Sequence, residues 1–199
     1  MAGKIFNIGL NRAGTTSLTA ALTALGLRAI HHKHRGVRLY DIMAQNRYAG
    51  RPLLFGLYDA YDALSDFAGQ NFFADLDRQY PGSKFILTTR ELNAWLDSRE
   101  RKVNRNLKRA DYHYSFRTVD RVQWTRDREN YIARLRAHFH NRERDLLVMD
   151  IPGGDGWEKL CLFLELEQPD GPFPFENDSA VRDALLLAAG VTAPENSVT

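Results

Sequence analysis

The sequence predicts an α/β protein with three layers, in which a central parallel sheet is flanked by helices. Two observations support this fold class. Short apolar strands alternate with helix-patterned segments along the chain, and parallel sheets are built from such alternation. In addition, the segment 4–18 has the form of a strand, a glycine turn and a helix, as in P-loop proteins. With 199 residues, of which 44% are hydrophobic, the chain can bury one sizeable core. We therefore expect a single domain over 1–189 and a flexible tail over 190–199.

The first part of the chain contains two predicted strands and two predicted helices. Phe6 and Ile8 belong to a short apolar run, which is typical of a buried strand. The helix that follows has leucines on one face and ends at Gly26, a residue that is common directly after a helix. In order, we predict a strand at 4–8, a helix at 15–25, a strand at 27–30, a polar stretch with three histidines and a helix at about 37–47.

The remainder of the chain contains the clearest strand, which ends in two threonines. Pro81 and Gly82 break the helix that precedes it. A helix near the C-terminal end follows a glycine-rich turn, with Asp155 as its predicted N-cap. In order, we predict a short strand at 62–66, a helix at 70–80, the strand at 84–89, helices at 93–107 and 119–142, a strand at 146–149, a helix at 157–166 and a last helix from 178.

The single cysteine and the N-terminal segment indicate a cytoplasmic protein. Cys161 lies in an apolar helical run, so we expect a buried hydrophobic side chain and not a reactive thiol. One cysteine excludes a disulfide framework and a cysteine-based zinc site within this chain. Asn7, Asn11 and Arg12 interrupt the apolar N-terminal region, which argues against a signal peptide or a membrane span.

The net charge is only +2, but the charges are unevenly distributed. Residues 99–144 contain 14 Arg and Lys against 6 Asp and Glu, and the rest of the chain is acidic overall. Such a basic segment could follow a nucleic acid, attract a small anionic substrate or form the solvated faces of helices. The charge distribution alone leaves these three uses open.

Residues 9–17 form a candidate phosphate site. Gly9 and Gly14 have the spacing of the phosphate loop Gly-x-x-x-x-Gly-Lys-[Ser/Thr], but position 15 is Thr where an ATP-using loop has Lys. Backbone N–H groups at a helix start bind anions, and Arg12 adds a permanently charged fork that suits phosphate oxygens. The candidate binding residues are Arg12, Ala13, Gly14, Thr15, Thr16 and Ser17.

A second motif lies at the end of the clearest strand. Arg90 follows this strand and Ser98 comes eight residues later, so the two side chains could hold one phosphate. Together with Arg12-Ala-Gly-Thr-Thr16, this motif resembles the sulfotransferase family, and the resemblance runs from residue 4 to about 177. The segments 80–98, 156–161 and 172–177 look like the compact branch of this family. The resemblance implies that 3′-phosphoadenosine-5′-phosphosulfate is the donor and 3′,5′-ADP is the product. It also implies that the first motif binds the 5′-phosphosulfate, and that Arg90 and Ser98 bind the 3′-phosphate.

The chain departs from the family pattern at its C-terminal end. The animal cytosolic enzymes have an Arg-Lys-Gly element there that adds contacts to the 3′-phosphate, and this element is absent. Lys102 and Arg105, in the basic segment, are candidates to replace it.

The resemblance implies an in-line transfer to a hydroxyl or amine of a small-molecule acceptor, without a metal. The cytosolic branch has a His base slightly more than twenty residues before the second-motif Arg, and here Asp66 lies 24 residues before Arg90. Asp66 is therefore the first candidate for the base, and Arg12 is the candidate for stabilising the negative charge that develops. His31 and His32 are competing bases, because the ordinary pKa of histidine is closer to neutrality.

Two other functions stay open. A P-loop-type small-molecule kinase would need a Lys equivalent at position 15 and a magnesium-binding Asp, for which Asp150 is the candidate. A non-catalytic nucleotide or nucleic-acid binder would use the basic segment. On the resemblance, we expect a small-molecule acceptor as the partner, and neither a nucleic acid nor a membrane. The oligomeric state stays open, with a homodimer as one option. The aromatic residues expected to line the acceptor pocket, or else the core, are Tyr40, Tyr48, Phe55, Tyr58 and Tyr61.

Overall fold

The structure is a computed structural model that describes residues 3–110 and 116–175. Its strands are β1 (Ile5–Asn7), β2 (Ala29–His31), β3 (Lys33–His34), β4 (Val37–Arg38), β5 (Ala63–Ser65), β6 (Lys84–Thr88) and β7 (Leu146–Met149). Five of them form a central parallel sheet in the order β2-β5-β1-β6-β7, and β3 and β4 form a separate antiparallel hairpin.

Six helices are present in the described part of the chain. They are α1 (Thr15–Ala24), α2 (Leu39–Tyr48), α3 (Phe73–Gln79), α4 (Leu92–Leu107), α5 (Arg121–His138) and α6 (Trp157–Leu164). A short 3-10 turn precedes α3. The predicted α/β class with a parallel central sheet is confirmed.

The sheet is buried on both faces, as β6 shows most clearly. Phe85 and Leu87 pack into the core that includes side chains of α2, α3 and α5, whereas Ile86, between them, packs into the core with α1 and α6. Neighbouring side chains of a strand point to opposite faces, so a strand buried on both sides needs a continuous apolar run. This arrangement produces the three layers.

Helix α4 belongs to a third, smaller apolar cluster. Trp95, Leu96 and Val103 pack there with Trp124 of α5 and with Ala13 of the loop after β1. The cluster therefore places α4 directly beside the first candidate phosphate motif.

Several predicted boundaries differ from the structure. The helix expected from about residue 37 starts at Leu39, because β3 and β4 form a hairpin before it. The helix expected over 119–142 ends at His138 and gives way to turns. Two-residue strands and short turns have no hydrophobic period, so the sequence pattern could not separate them from the helices.

The predicted N-cap role of Asp155 is wrong. The residue before α6 is Gly156, and no side chain caps this helix. The Asp155 carboxylate instead accepts a hydrogen bond of 2.6 Å from the backbone N–H of Asp150 and binds Lys159 Nζ at 2.7 Å. Cys161 is buried in α6, as expected, and burial raises the pKa of its thiol.

Two expectations concern residues that the structure does not describe. These are the last helix from 178 and the tail at 190–199. Within 3–110 and 116–175, none of the helices combines the length and the apolar character that crossing a membrane requires.

Candidate active site

The predicted site residues lie at one edge of the sheet, where parallel strands end. The loop that begins at Gly9 follows β1, His31 is the last residue of β2, Asp66 follows β5, and Arg90 lies just beyond β6. Ligands of open α/β sheets bind at the carboxyl ends of the strands. The topology therefore brings together residues from four separate parts of the chain.

The first motif is a tight loop that depends on two glycines. A Cβ atom on Gly9 would lie only 1.8 Å from Thr88 Oγ1 and 2.7 Å from the Thr88 backbone nitrogen, so a larger residue cannot fit between β1 and β6. Gly14 has a φ of 85° and stands at the N-cap position of α1, with no side chain capping the helix. The first-turn N–H groups of α1 are thus not covered by a capping side chain, which suits an anion.

A buried polar network beneath this loop was not predicted from the sequence. Asn7 donates from Nδ2 to Ser65 Oγ at 2.8 Å, and its Oδ1 accepts from Gly9 N at 3.0 Å and from Thr88 Oγ1 at 3.1 Å. Ser65 Oγ in turn donates to the backbone oxygen of Thr15 at 3.3 Å. One amide therefore connects β1, β5 and β6 to the loop. The sequence feature that could have indicated this network is a polar residue at or near the carboxyl end of each of three apolar strands.

The two phosphate motifs touch each other. Arg12 Nε donates a hydrogen bond of 3.0 Å to Ser98 Oγ, and Ser98 is only 2% exposed. Arg12 has a φ of 71°, in the left-handed region that favours glycine. Arg90 has a buried Nε with no hydrogen-bond partner among the described residues. Both motifs were predicted as binding elements, but the sequence did not indicate their direct contact.

Arg12 belongs to a cluster of five cations, the others being Arg90, Arg101, Lys102 and Arg105. Burial and the nearby charges of Arg105, Arg90 and Arg101 lower the pKa of Arg12. Burial, Arg105 and Arg12 likewise lower the pKa of Lys102. Within the described residues, none of the five is paired with a carboxylate, so the positive charge is left unbalanced. Such a field suits a ligand with several negative charges.

The second motif is fastened from α5. Arg128 donates from Nη2 to the backbone oxygen of Arg90 at 2.7 Å and to Thr89 Oγ1 at 3.2 Å. A narrow cleft lies between the loop after β1 and the end of β6, and its lining includes Ala13, Arg90 and Trp95. Both sides of this cleft are thus built from residues of the two motifs and of the helices that hold them.

The three candidates for the base form a single cluster. Asp66 Oδ2 lies 3.3 Å from His32 Nδ1 and 3.9 Å from His31 Nε2. His31 Nε2 also lies 3.2 Å from Thr15 Oγ1, which connects the cluster to the phosphate loop. Burial lowers the pKa of His31, and the Asp66 carboxylate opposes this effect. His31 is therefore mainly neutral at pH 7 and able to accept a proton.

The backbone of this cluster is unusual as well. His32 has a φ of 66° and Asp66 has a φ of 56°, both in the left-handed region. Non-glycine residues in this region cost free energy and often occur at functional sites. The loops after β2 and β5 thus place all three side chains beside the first motif.

Four of the five aromatic residues expected at an acceptor pocket are either largely exposed or lie away from the site. Tyr48 is 95% exposed and Phe55 is 57% exposed. The backbone oxygens of Tyr58 and Tyr61 accept hydrogen bonds from Lys4 Nζ, next to the amino end of β1. That end of the sheet is opposite the site, so these five residues do not jointly define where an acceptor binds.

The magnesium ligand that a kinase would need is engaged in a turn. Asp150 Oδ1 accepts a hydrogen bond of 2.9 Å from the backbone N–H of Gly153, directly after β7. Across 3–110 and 116–175, no group of three or more His, Cys, Asp or Glu side chains is arranged to hold a metal ion.

Comparisons with known proteins identify the family to which this chain is similar. The sequence profile of the sulfotransferase domain family matches residues 4–135 and 102–181, which include both motifs and Asp66. A relative from Aspergillus versicolor, "Ava biosynthesis cluster protein M", is 27% identical over 207 residues. That alignment covers 86% of this chain and 79% of the relative.

Proposed function

Because the chain belongs to the sulfotransferase domain family, we propose that it transfers a sulfuryl group from 3′-phosphoadenosine-5′-phosphosulfate to a hydroxyl or amine of a small molecule. The observation that carries this proposal is the hydrogen bond of 3.0 Å between Arg12 and Ser98. It joins the two phosphate motifs inside a cluster of cations that has no compensating carboxylate in the described residues. A donor with phosphate groups at both its 3′ and 5′ positions matches this paired arrangement.

The residues present fit this donor. When bound, the donor supplies the sulfuryl group, and its departure leaves negative charge on the bridging oxygen at the 5′-phosphate. Arg12 and the first-turn N–H groups of α1 would face this developing charge, so their stabilisation is strongest in the transition state. Arg90, with its unpartnered Nε, and Ser98 would hold the 3′-phosphate. Lys102 and Arg105, on the same helix as Ser98, would strengthen the positive field that the 3′-phosphate meets.

The base would lie in the cluster of Asp66, His31 and His32. Asp66 is the first candidate, and it would take the proton of the acceptor group directly. In the alternative, neutral His31 takes this proton and the Asp66 carboxylate, 3.9 Å away, stabilises the imidazolium that results. A loose sulfuryl transfer requires little early deprotonation of the acceptor, so either group is a sufficient base.

The acceptor is proposed here as a chemical class. The name of the Aspergillus relative connects that protein with a biosynthesis cluster. By analogy, we propose a small biosynthetic molecule with a phenol, alcohol or amine as the acceptor. The release of 3′,5′-ADP from the donor, measured over a panel of these three classes, would identify the class.

Titration calorimetry with the product nucleotide tests the donor directly. We expect 3′,5′-ADP to bind without magnesium, and at least about tenfold more tightly than AMP, because a hydrogen bond to a charged group contributes about 1.5–3 kcal/mol. Arg90→Ala should remove this preference for the 3′-phosphate. Arg78→Ala is a matched control, since Arg78 is an exposed arginine that is paired with Asp75. Equal affinities of the wild type for 3′,5′-ADP and AMP would refute the proposal, and a preference for ATP with magnesium would favour a kinase.

A further inference from the structure

Arg99 occupies an aromatic cage beside the site, although it is outside both motifs. Its guanidinium carbon lies 4.7 Å from the ring centre of Trp95 and 4.6 Å from the ring centres of Phe116 and Trp124. Its Nη1 donates a hydrogen bond of 2.8 Å to Asn11 Oδ1. Its Nε is buried and has no partner in the described part of the chain. Desolvation lowers the pKa of Arg99 to about 10.

Asn11 is held at two points by the same helix. Arg99 binds its side chain, and Trp95 Nε1 donates a hydrogen bond of 3.0 Å to its backbone oxygen. The next residue is Arg12, whose φ of 71° is in the left-handed region. A strained residue of this kind keeps its conformation only where its surroundings impose it. The two bonds to Asn11 are such a constraint.

The same indole ring contacts a second arginine that holds the other motif. The guanidinium carbon of Arg128 lies 5.6 Å from the ring centre of Trp95, and its Nη2 donates to the backbone oxygen of Arg90. Trp95 therefore contacts two arginines, of which Arg99 is bonded to the first motif and Arg128 to the second.

A packing role alone does not explain Arg99. Helices α4 and α5 are also joined by exposed ion pairs from Arg121 to Asp97 and Glu100, at 2.7 and 3.0 Å. An apolar residue of similar length would fill the aromatic cage without leaving a buried polar nitrogen unsatisfied, and such replacements are often neutral or stabilising. Besides its cation–π contacts within the cage, the guanidinium provides a directed bond to the loop, the hydrogen bond to Asn11.

We propose that Arg99 is a positioning residue: through Asn11 it fixes the conformation of Arg12, and through Trp95 it keeps the two phosphate motifs in register. The inference rests on the proposed function only in assuming that these motifs bind the donor. A displacement of about 1 Å in a positioned group can lower turnover by about 10²-fold.

The test uses the full chain and the variants Arg99→Met, Asn11→Ala and their combination. Arg121→Gln is the matched control, because it breaks a contact between the same two helices away from the loop. Amide hydrogen exchange of residues 10–13 is measured without ligand, and the affinity for 3′,5′-ADP is measured by calorimetry. Thermal unfolding of each variant is followed in parallel.

We expect Arg99→Met to unfold at or above the wild-type temperature while residues 10–13 exchange faster and the dissociation constant rises about tenfold. Asn11→Ala should likewise show faster exchange of residues 10–13 and a dissociation constant about tenfold higher. The double variant should bind 3′,5′-ADP no more weakly than the weaker-binding single variant, because both substitutions remove the same hydrogen bond between Arg99 and Asn11. Arg121→Gln should match the wild type in exchange and affinity.

Several results would overturn the inference. The first is an exchange rate of residues 10–13 in Arg99→Met that equals the wild-type rate. The second is a double variant in which the two losses of 3′,5′-ADP affinity multiply. The third is an effect of Arg121→Gln on exchange and affinity as large as that of Arg99→Met. If Arg99→Met does not fold, Asn11→Ala removes the same hydrogen bond from the side of the loop. Unchanged exchange of residues 10–13 in Asn11→Ala would then contradict the inference. If the wild type does not bind 3′,5′-ADP, the proposed function fails, while the exchange measurement still decides the role of Arg99.

Discussion

The substitution Asp66→Asn is the most direct test of which of the three candidates, Asp66, His31 or His32, is the base. Asn keeps the size of Asp and most of its hydrogen bonding, but it cannot accept a proton. If Asp66 is the base, turnover should fall by about 10² to 10⁴, the usual contribution of a general base. The affinity for 3′,5′-ADP should change little, because the ion pairs of Asp66 are with His31 and His32 and not with Arg12, Arg90 or Ser98. The melting temperature should also change little, because Asn preserves the size and most of the hydrogen bonding.

The structure also predicts what the same substitution does to His31. Two unit charges about 4 Å apart interact by about 1 kcal/mol in water and by about 4 kcal/mol at an effective dielectric constant of 20. Asp66 Oδ2 lies 3.9 Å from His31 Nε2, and both side chains are 28% exposed, so the coupling falls between these limits. The Asp66 carboxylate raises the pKa of His31 against the effect of burial, so its removal lowers this pKa further.

The assay is the release of 3′,5′-ADP as a function of pH, with an NMR titration of His31 in parallel. If His31 is the base, Asp66→Asn stays active at neutral pH and the acidic limb of its profile moves to lower pH. If Asp66 is the base, activity falls at every pH, and His31→Asn and His32→Asn are mild. An active Asp66→Asn together with an inactive His31→Asn would refute the assignment of Asp66.

Four other predictions concern the loop and its surroundings. Arg12→Ala should lower turnover more than it weakens 3′,5′-ADP binding, because its interaction strengthens as charge develops; a raised Michaelis constant with unchanged turnover would contradict this. Ser98→Ala removes a proposed ligand of the 3′-phosphate, so in calorimetry it should weaken the binding of 3′,5′-ADP by about 1.5–3 kcal/mol more than that of AMP. Gly9→Ala should destabilise the fold by at least about 1–3 kcal/mol in denaturant unfolding, since its Cβ would lie 1.8 Å from Thr88 Oγ1. Because the folded pKa of His31 lies below 6.5, its contribution to stability is present above that pH and is lost as the pH falls through the lowered value. Unfolding curves of His31→Gln should therefore depend less on pH in this window.

The parts of the fold that the sequence predicted are those with a continuous hydrophobic signal. The apolar run of β6 identifies a strand buried on both faces, and the leucine face of α1 identifies a helix. The β3–β4 hairpin was missed, because strands of two residues are too short to show a period. Asp155 was misassigned because its carboxylate is used by the preceding turn, and the sequence does not reveal which backbone N–H group is nearest.

The candidate site shows the same division. The types and spacing of Arg12, Arg90 and Ser98 predicted phosphate contacts, since those depend on local motifs. The bond between Arg12 and Ser98 depends on how α4 packs against the loop, so it could not be predicted. The cage of Arg99 likewise draws aromatic rings from outside α4. Spacing could not choose among the candidate bases, and the structure places them side by side.

The left-handed backbone at Arg12, His32 and Asp66 has a consequence for selection experiments on this protein. Glycine adopts this conformation without the steric penalty of a side chain, and other residues there cost about 1–3 kcal/mol each. A library screened only for heat resistance should therefore enrich glycine at these three positions. Each gain in heat resistance would remove a charged fork or a proton acceptor, so stability and activity oppose each other at this edge of the sheet. Screens for sturdier variants should hold these residues fixed and vary the rest of the molecule.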